Sequence, residues 1–142
     1  MAAYEVATDI QAPAERVWAV LSAVEAWPQW LPTVSSVEPL RETPLQVGRR
    51  YRVTQPRLRP TVWTVSVVEP ERRFEWRARS PGMELVADHD IESTGPNAAR
   101  VRLRFEFKGM VGALLGVVFG ALTRKYLSQE VKALKDRVEV AK

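Results

Sequence analysis

The fold class that these 142 residues predict is α+β: a seven-stranded antiparallel sheet with a long C-terminal helix laid on it, and two short helices between strands 1 and 2. Three observations carry that expectation. Apolar and polar residues alternate with period two, with few breaks, from Thr33 to Lys108. From Met110 to Lys142 the period changes to 3.6, so that Leu127, Val131, Leu134 and Val138 share one helix face with Gly112, Gly116 and Gly120. Between the first alternating run and the rest lie two short helical patterns bounded by prolines.

In chain order, Tyr4 to Ile10 sets Tyr4, Val6, Thr8 and Ile10 against Glu5, Ala7 and Asp9, as a half-buried strand should. Pro13 opens a helix where a missing N–H costs nothing, and Val17, Val20, Leu21 and Val24 follow at helical spacing beside Trp18. Trp27 to Pro32 reads as a second helical turn. Strands are then expected at Val34 to Leu40, Arg49 to Gln55, Thr61 to Glu69, Phe74 to Arg79, Glu84 to Glu92 and Arg100 to Lys108. Turn residues separate them: Thr43-Pro44 with Gly48, Pro56 and Pro60, Pro70, Pro81-Gly82, and Gly95-Pro96-Asn97. Connections this short describe a meander. In the last strand Val101, Leu103, Phe105 and Phe107 oppose Arg100, Arg102, Arg104, Glu106 and Lys108. Phe74, Trp76 and Ala78 alternate with Glu75, Arg77 and Arg79, while Trp63, Val65 and Val67 alternate with Thr64 and Ser66. The sheet therefore has an apolar, aromatic concave side and a charged outer side.

Length is that of one domain spanning residues 1–142, and 46% apolar with 27% charged residues is the composition of a soluble globular protein. With no cysteine, disulfides, thiolate metal sites and thiol catalysis are excluded. A single histidine leaves no ligand set for a metal, and no cofactor motif is present. No charged-then-apolar leader opens the chain, and the apolar run from Met110 to Leu122 is shorter than the roughly 20 residues of a membrane span. A cytoplasmic protein without a transmembrane segment is expected. A net charge of +4 and a pI near 9.8 raise nucleic acid as a partner. The arginines, however, interleave with Glu75, Glu84, Asp88, Asp90, Glu92 and Glu106 at outward positions, as cross-strand pairs would. Arg49-Arg50, Arg57-Leu58-Arg59 and Arg72-Arg73 sit at turns without interleaved aromatics, so no nucleic-acid partner is expected.

The glycine stripe admits three readings: room for a ligand, close packing of helix on sheet, or close packing of helix on helix. Three glycines cost ~3 kcal/mol of helix propensity at about 1 kcal/mol each, so a packing or functional gain must offset them. Alignment with Leu127 and Val131 turns the stripe toward the sheet, and room is ranked first. Gly112, Gly116 and Gly120 thus join the candidate ligand-binding residues, with Tyr51, Trp63, Trp76 and Phe105 on the concave face and Phe119 on the helix. His89 shares parity with Leu85, Ala87 and Ile91 and faces the same side. A histidine hydrogen-bonded within the core is the favoured reading; a polar ligand contact or general acid/base makes it the one catalytic candidate. Glu5, Asp9 and Glu130 are the carboxylates able to enter a cavity, though their spacing makes no paired site. Leu114, Leu115, Val117, Val118, Phe119 and Leu122 point several ways around the helix, so part of that surface needs another partner: a protein, a membrane surface, or a second copy in a homodimer.

Several segments resemble one superfamily. Ile10-Gln11-Ala12-Pro13-Ala14-Glu15-Arg16-Val17-Trp18, then Trp27 to Pro32, Gly48 leading a strand, Trp63 ahead of Val68-Glu69-Pro70, His89 in a penultimate strand and Phe107-Lys108-Gly109 entering the last helix are similar to the SRPBCC or START-like superfamily, including its polyketide cyclase/dehydrase branch. The resemblance covers essentially the whole chain. It implies a helix-grip fold, a curved seven-stranded sheet wrapped around the long C-terminal helix, with a deep cavity between them that accepts a hydrophobic molecule. It does not imply a reaction, since members include lipid carriers, hormone receptors, cyclases, oxygenase domains and chaperone activators. An iron oxygenase would need two histidines and a carboxylate, and the chain has one histidine. The expected function is binding or carriage of a small hydrophobic or aromatic ligand or lipid. The alternatives are a metal-free polyketide cyclase/dehydratase and an interaction module built on the apolar first half of the last helix.

Overall fold

Alternating residues become a seven-stranded antiparallel sheet in a computed structural model that describes residues 2–40, 45–56 and 58–140. The elements are β1 (Ala2–Ile10), α1 (Ala14–Ser22), a 3₁₀ helix (Val24–Gln29), β2 (Ser36–Pro39), β3 (Arg50–Thr54), β4 (Thr61–Glu69), β5 (Arg73–Ser80), β6 (Met83–Gly95), β7 (Ala98–Lys108), α2 (Gly109–Val118) and α3 (Gly120–Val140). The Thr43-Pro44 turn, Arg57 and the last two residues of the expected C-terminal helix lie outside the described residues.

The strand order is β1-β7-β6-β5-β4-β3-β2. β2 to β7 form a meander, and β1 returns to pair with β7, placing Tyr4 opposite Phe105 and Ile10 opposite Ala99. The concave face buries Tyr51, Trp63, Val65, Phe74, Trp76, Val101 and Leu103. Against them pack Val17 and Leu21 of α1, Trp27, and Leu127, Val131, Leu134 and Val138 of α3, the face expected from the helical period. This is the helix-grip arrangement. On the convex face the arginines pair across strands, Arg73 with Asp88, Arg77 and Arg79 with Glu84, and Arg102 with Asp90.

Two departures from the expected pattern have local causes. At Ser66 the β4–β5 register shifts, so that Val68 rather than Val67 packs on the core. The Ser66 hydroxyl donates to the Glu75 carboxylate at 2.8 Å, and Arg73 and Arg77 donate to the same group at 3.0 and 2.9 Å. Glu75, expected on a solvated face, is consequently only 6% exposed. Burial pushes its carboxyl up, but the hydrogen bonds from Ser66 and Arg77 and the two guanidinium charges outweigh burial and hold it below the usual range.

The second departure is the C-terminal helix, which breaks at Phe119 into α2 and α3, bent by 78°. Glycines at 116 and 120 weaken the helix there, and Tyr4 takes over one of the carbonyls orphaned by the break. Its hydroxyl donates to the Gly116 carbonyl at 2.6 Å, while the Phe119 N–H closes α2 on the Leu115 carbonyl at 2.8 Å. Tyr4→Phe should therefore cost about 1 kcal/mol in urea denaturation. An unchanged midpoint would show that solvent serves this carbonyl equally well. Among the described residues no single helix is long and apolar enough to cross a membrane; α2 and α3 reach that length only together, across the bend.

Candidate functional site

Between the concave face and the two C-terminal helices lies a cavity of about 390 Å³. Its sheet wall is Trp63 of β4, Trp76 of β5, Leu85, Ala87 and His89 of β6, and Leu103, Phe105 and Phe107 of β7. Trp27 contributes from the 3₁₀ helix, Leu115 from α2, Phe119 from the break, and Leu122, Tyr126, Leu127 and Glu130 from α3. Leu58 and Phe119 line the cavity and also reach solvent, so the opening lies between the β3–β4 loop and the helix break. The Tyr126 hydroxyl donates to the Pro56 carbonyl at 2.7 Å and ties α3 to that loop.

Of the residues expected to bind a ligand, Trp63, Trp76, His89, Phe105 and Phe119 come together in this wall. Trp63 and Trp76 stack at 5.8 Å, and Phe105 stands edge-on to Trp63 at 5.9 Å. Tyr51 lies outside the lining, buried beside Trp76 with 6.0 Å between ring centres. The glycine stripe differs from the expectation of room. A side chain at Gly112 would meet the Phe107 backbone and Met83 at 3.3 Å, one at Gly120 would run into the Tyr4 ring, and Gly116 holds the Tyr4 hydroxyl. These glycines let the helices press on β1, β6 and β7, which is close packing. The hollow lies instead under Leu115, Phe119 and Leu122, side chains from other faces of the same turns.

Among the described residues the titratable members of the lining are Arg59, Asp88, His89, Arg104, Tyr126 and Glu130, and burial displaces two of them, His89 and Glu130. His89 is stacked on Phe74 at 4.0 Å, edge-on to Trp76, with Nδ1 3.2 Å from the Phe74 carbonyl. A carbonyl only accepts, so Nδ1 carries the proton and Nε2 keeps its lone pair. Burial pushes the imidazole down to about 4, against the opposing pull of the Phe74 carbonyl, so the ring is neutral at pH 7. Glu130 projects from α3, and the Thr33 hydroxyl donates to its Oε1 at 3.2 Å. Burial drives this carboxyl up to about 7, with the Thr33 bond pulling it partly back. A carboxyl held there carries its proton part of the time near neutrality and is able to donate or to accept a hydrogen bond. In the sequence Glu130 stands out only as a carboxylate able to enter a cavity, and Thr33 carries no signal at all. The signal for Glu130 was its place three residues after Leu127 and four before Leu134, on the buried stripe. Among the described residues no group of three or more histidines or carboxylates converges as a metal site.

The family model described as polyketide cyclase / dehydrase and lipid transport matches residues 1–139. Among proteins with curated functions, none matches this chain. The Zhui aromatase/cyclase from Streptomyces sp. R1128 superposes with a TM-score of 0.78 at 18% identity, over 96% of this chain and 93% of its own. A START superfamily protein from Mycobacterium smegmatis superposes with a TM-score of 0.75 at 18% identity, over the full length of both chains. The di-domain ARO/CYC BexL from the BE-7585A biosynthetic pathway gives 0.72 at 22% identity, over 99% of this chain and 47% of its own. Identities this low establish a shared fold.

Proposed function

Because the chain belongs to the polyketide cyclase/dehydrase and lipid-transport family, we propose that its cavity binds a small hydrophobic or aromatic molecule bearing a polar oxygen or nitrogen function. The observation that carries this reading is the 390 Å³ chamber, walled by indole and phenyl rings and holding the carboxyl of Glu130 and the neutral imidazole of His89. Apolar burial supplies affinity: about 200 Å² removed from water is worth ~5 kcal/mol at ~25 cal/mol per Å². The carboxyl, the imidazole and the flat indoles supply orientation.

Thermal shift with fatty acids, isoprenoids and polycyclic phenols tests it, and at least one class should raise the melting temperature. Ala87 lines the cavity between Trp76 and Phe105 in the sheet register, so Ala87→Phe places a ring in the void. That variant should stay folded and bind the same ligand at least about tenfold more weakly, since filling the space removes most of the buried contact. A panel without any shift, with an empty cavity by native mass spectrometry, would overturn the reading.

A second reading is a cyclase/dehydratase-like enzyme, favoured by the presence of Glu130 and His89 in one chamber lined largely by apolar side chains. Here a proton would be taken from carbon beside a carbonyl and returned to a hydroxyl that leaves as water. Its signature is a Glu130→Gln variant that binds substrate as tightly as the parent while turnover falls by about two orders of magnitude.

A further inference from the structure

Among the described residues nothing covers the outer face of α2. Met110 is 90% exposed, Leu114 65%, Val117 77% and Val118 64%, and the spacing 110, 114, 117, 118 puts all four on one helix face. The inner face carries Gly112 and Gly116 against the sheet and Leu115 in the cavity. Val111 donates its N–H to the Gly82 carbonyl at 3.0 Å, which places α2 at the sheet end that also carries the β5–β6 turn. Because Val53 pairs with Thr61, the β3–β4 loop with exposed Leu58 projects from that same end. A contiguous apolar face of this kind marks an interaction surface.

Its chemistry selects among occupants. α2 has no hydrogen-bonding side chain, so it lacks the polar contacts that set register in a protein interface. From Phe107 to Gln129 the chain carries Lys108, Arg124 and Lys125 and no carboxylate. Lys108 immediately precedes α2 and lies 3.8 Å from the Glu106 carboxylate, and Arg124 and Lys125 lie in the opening turns of α3, with Arg124 held over the Tyr4 ring at 5.0 Å. Both ends of this face are cationic, so in a self-complementary dimer cations would face cations. An apolar face with cations at both ends instead complements anionic headgroups over hydrocarbon.

We propose that α2 lays its outer face into the interface of an anionic lipid bilayer, with Lys108, Arg124 and Lys125 on the headgroup phosphates. The cavity opening at Phe119 then sits against the membrane. Docking uses the outer face alone and needs no occupant in the cavity, so it is tested separately from ligand binding.

The test is co-sedimentation of the full chain with phosphatidylcholine vesicles, with and without phosphatidylglycerol. Pelleting is expected with the anionic vesicles and should fall severalfold as salt is raised. The Leu114→Asp/Val117→Asp double variant changes only exposed positions and should lose at least about tenfold in binding. Arg124→Gln/Lys125→Gln should reduce binding toward the level of neutral vesicles, while Ala87→Phe pellets like the parent. Absence of pelleting with anionic vesicles, equal pelleting with neutral ones, or indifference to Leu114→Asp/Val117→Asp would overturn the proposal. So would light scattering that shows a dimer dissociated by that double variant, because the face would then belong to a second copy.

Discussion

Glu130→Gln is expected to convert a nearly flat pH–stability profile between pH 4.5 and 6.5 into a rising one, and to leave the protein more stable than its parent above pH 7. The folded carboxyl titrates near 7 against an ordinary 4.5, so across that window the folded state holds the proton more tightly than the unfolded chain. Its contribution to stability is fully present below 4.5 and is lost as pH rises through 7, by roughly 3 kcal/mol. His89 works in the other direction. Its folded value near 4 lies below the ordinary 6.5, so the unfolded state takes the proton first and stability rises between those values by a similar amount, roughly 3 kcal/mol. In the parent the slopes cancel where they overlap. Removing the Glu130 carboxyl leaves the rise from His89, and His89→Asn leaves the fall from Glu130. Glu75 and Glu84 are held below their ordinary values and act only at lower pH. Urea denaturation across the window checks the sign. A Glu130→Gln variant whose advantage does not grow with pH would show that the carboxyl keeps its water.

Gly109→Ala is expected to destabilise the fold by about 3 kcal/mol, combining left-handed backbone strain of ~1 kcal/mol with the cost of displacing neighbouring main chain. Gly109 has φ +86, and a Cβ there would collide with the carbonyl oxygen of Gly82, itself at φ +75. The β5–β6 turn and the start of α2 thus meet backbone to backbone, with the Val111 N–H on that same carbonyl. Gly48 provides the control: its φ is +91, but a methyl group added there would find none of the described residues within 4 Å, so Gly48→Ala should show the strain alone. Equal losses at the two positions, read by urea midpoint, would mean that the Gly82 contact adds nothing.

Strand positions were legible because one face of each strand is dry. The run from Val101 to Phe107 could not be read otherwise, and β4 occupies the residues expected of it. The Ser66 bulge was not legible: the residues around it alternate acceptably in either phase, and the choice is made by Glu75 on the neighbouring strand. The break at Phe119 was hidden for a related reason. Every residue from Met110 to Leu122 suits a helix, with glycine the weak former, and the deciding partner is Tyr4, more than a hundred residues away in sequence. At the site, parity placed Trp63, Trp76, His89 and Phe105 on the correct side of the sheet. It could not separate the Trp63 and Trp76 wall from Tyr51 behind it, since depth behind a face has no period. The glycines were placed on the correct face with the less accurate purpose, because bare backbone suits a void and a close contact equally until the opposing strand is known.

The indole arrangement also gives the protein an optical property. Trp27, Trp63 and Trp76, three of its five tryptophans, line one chamber, with Trp76 5.3 Å from Trp27 and 5.8 Å from Trp63. Excitation absorbed by any of them is shared among all three at such separations, so an arriving guest meets one coupled chromophore. Its entry should change the colour and yield of ultraviolet emission without any attached dye, and a guest that absorbs near the indole emission band should extinguish most of it.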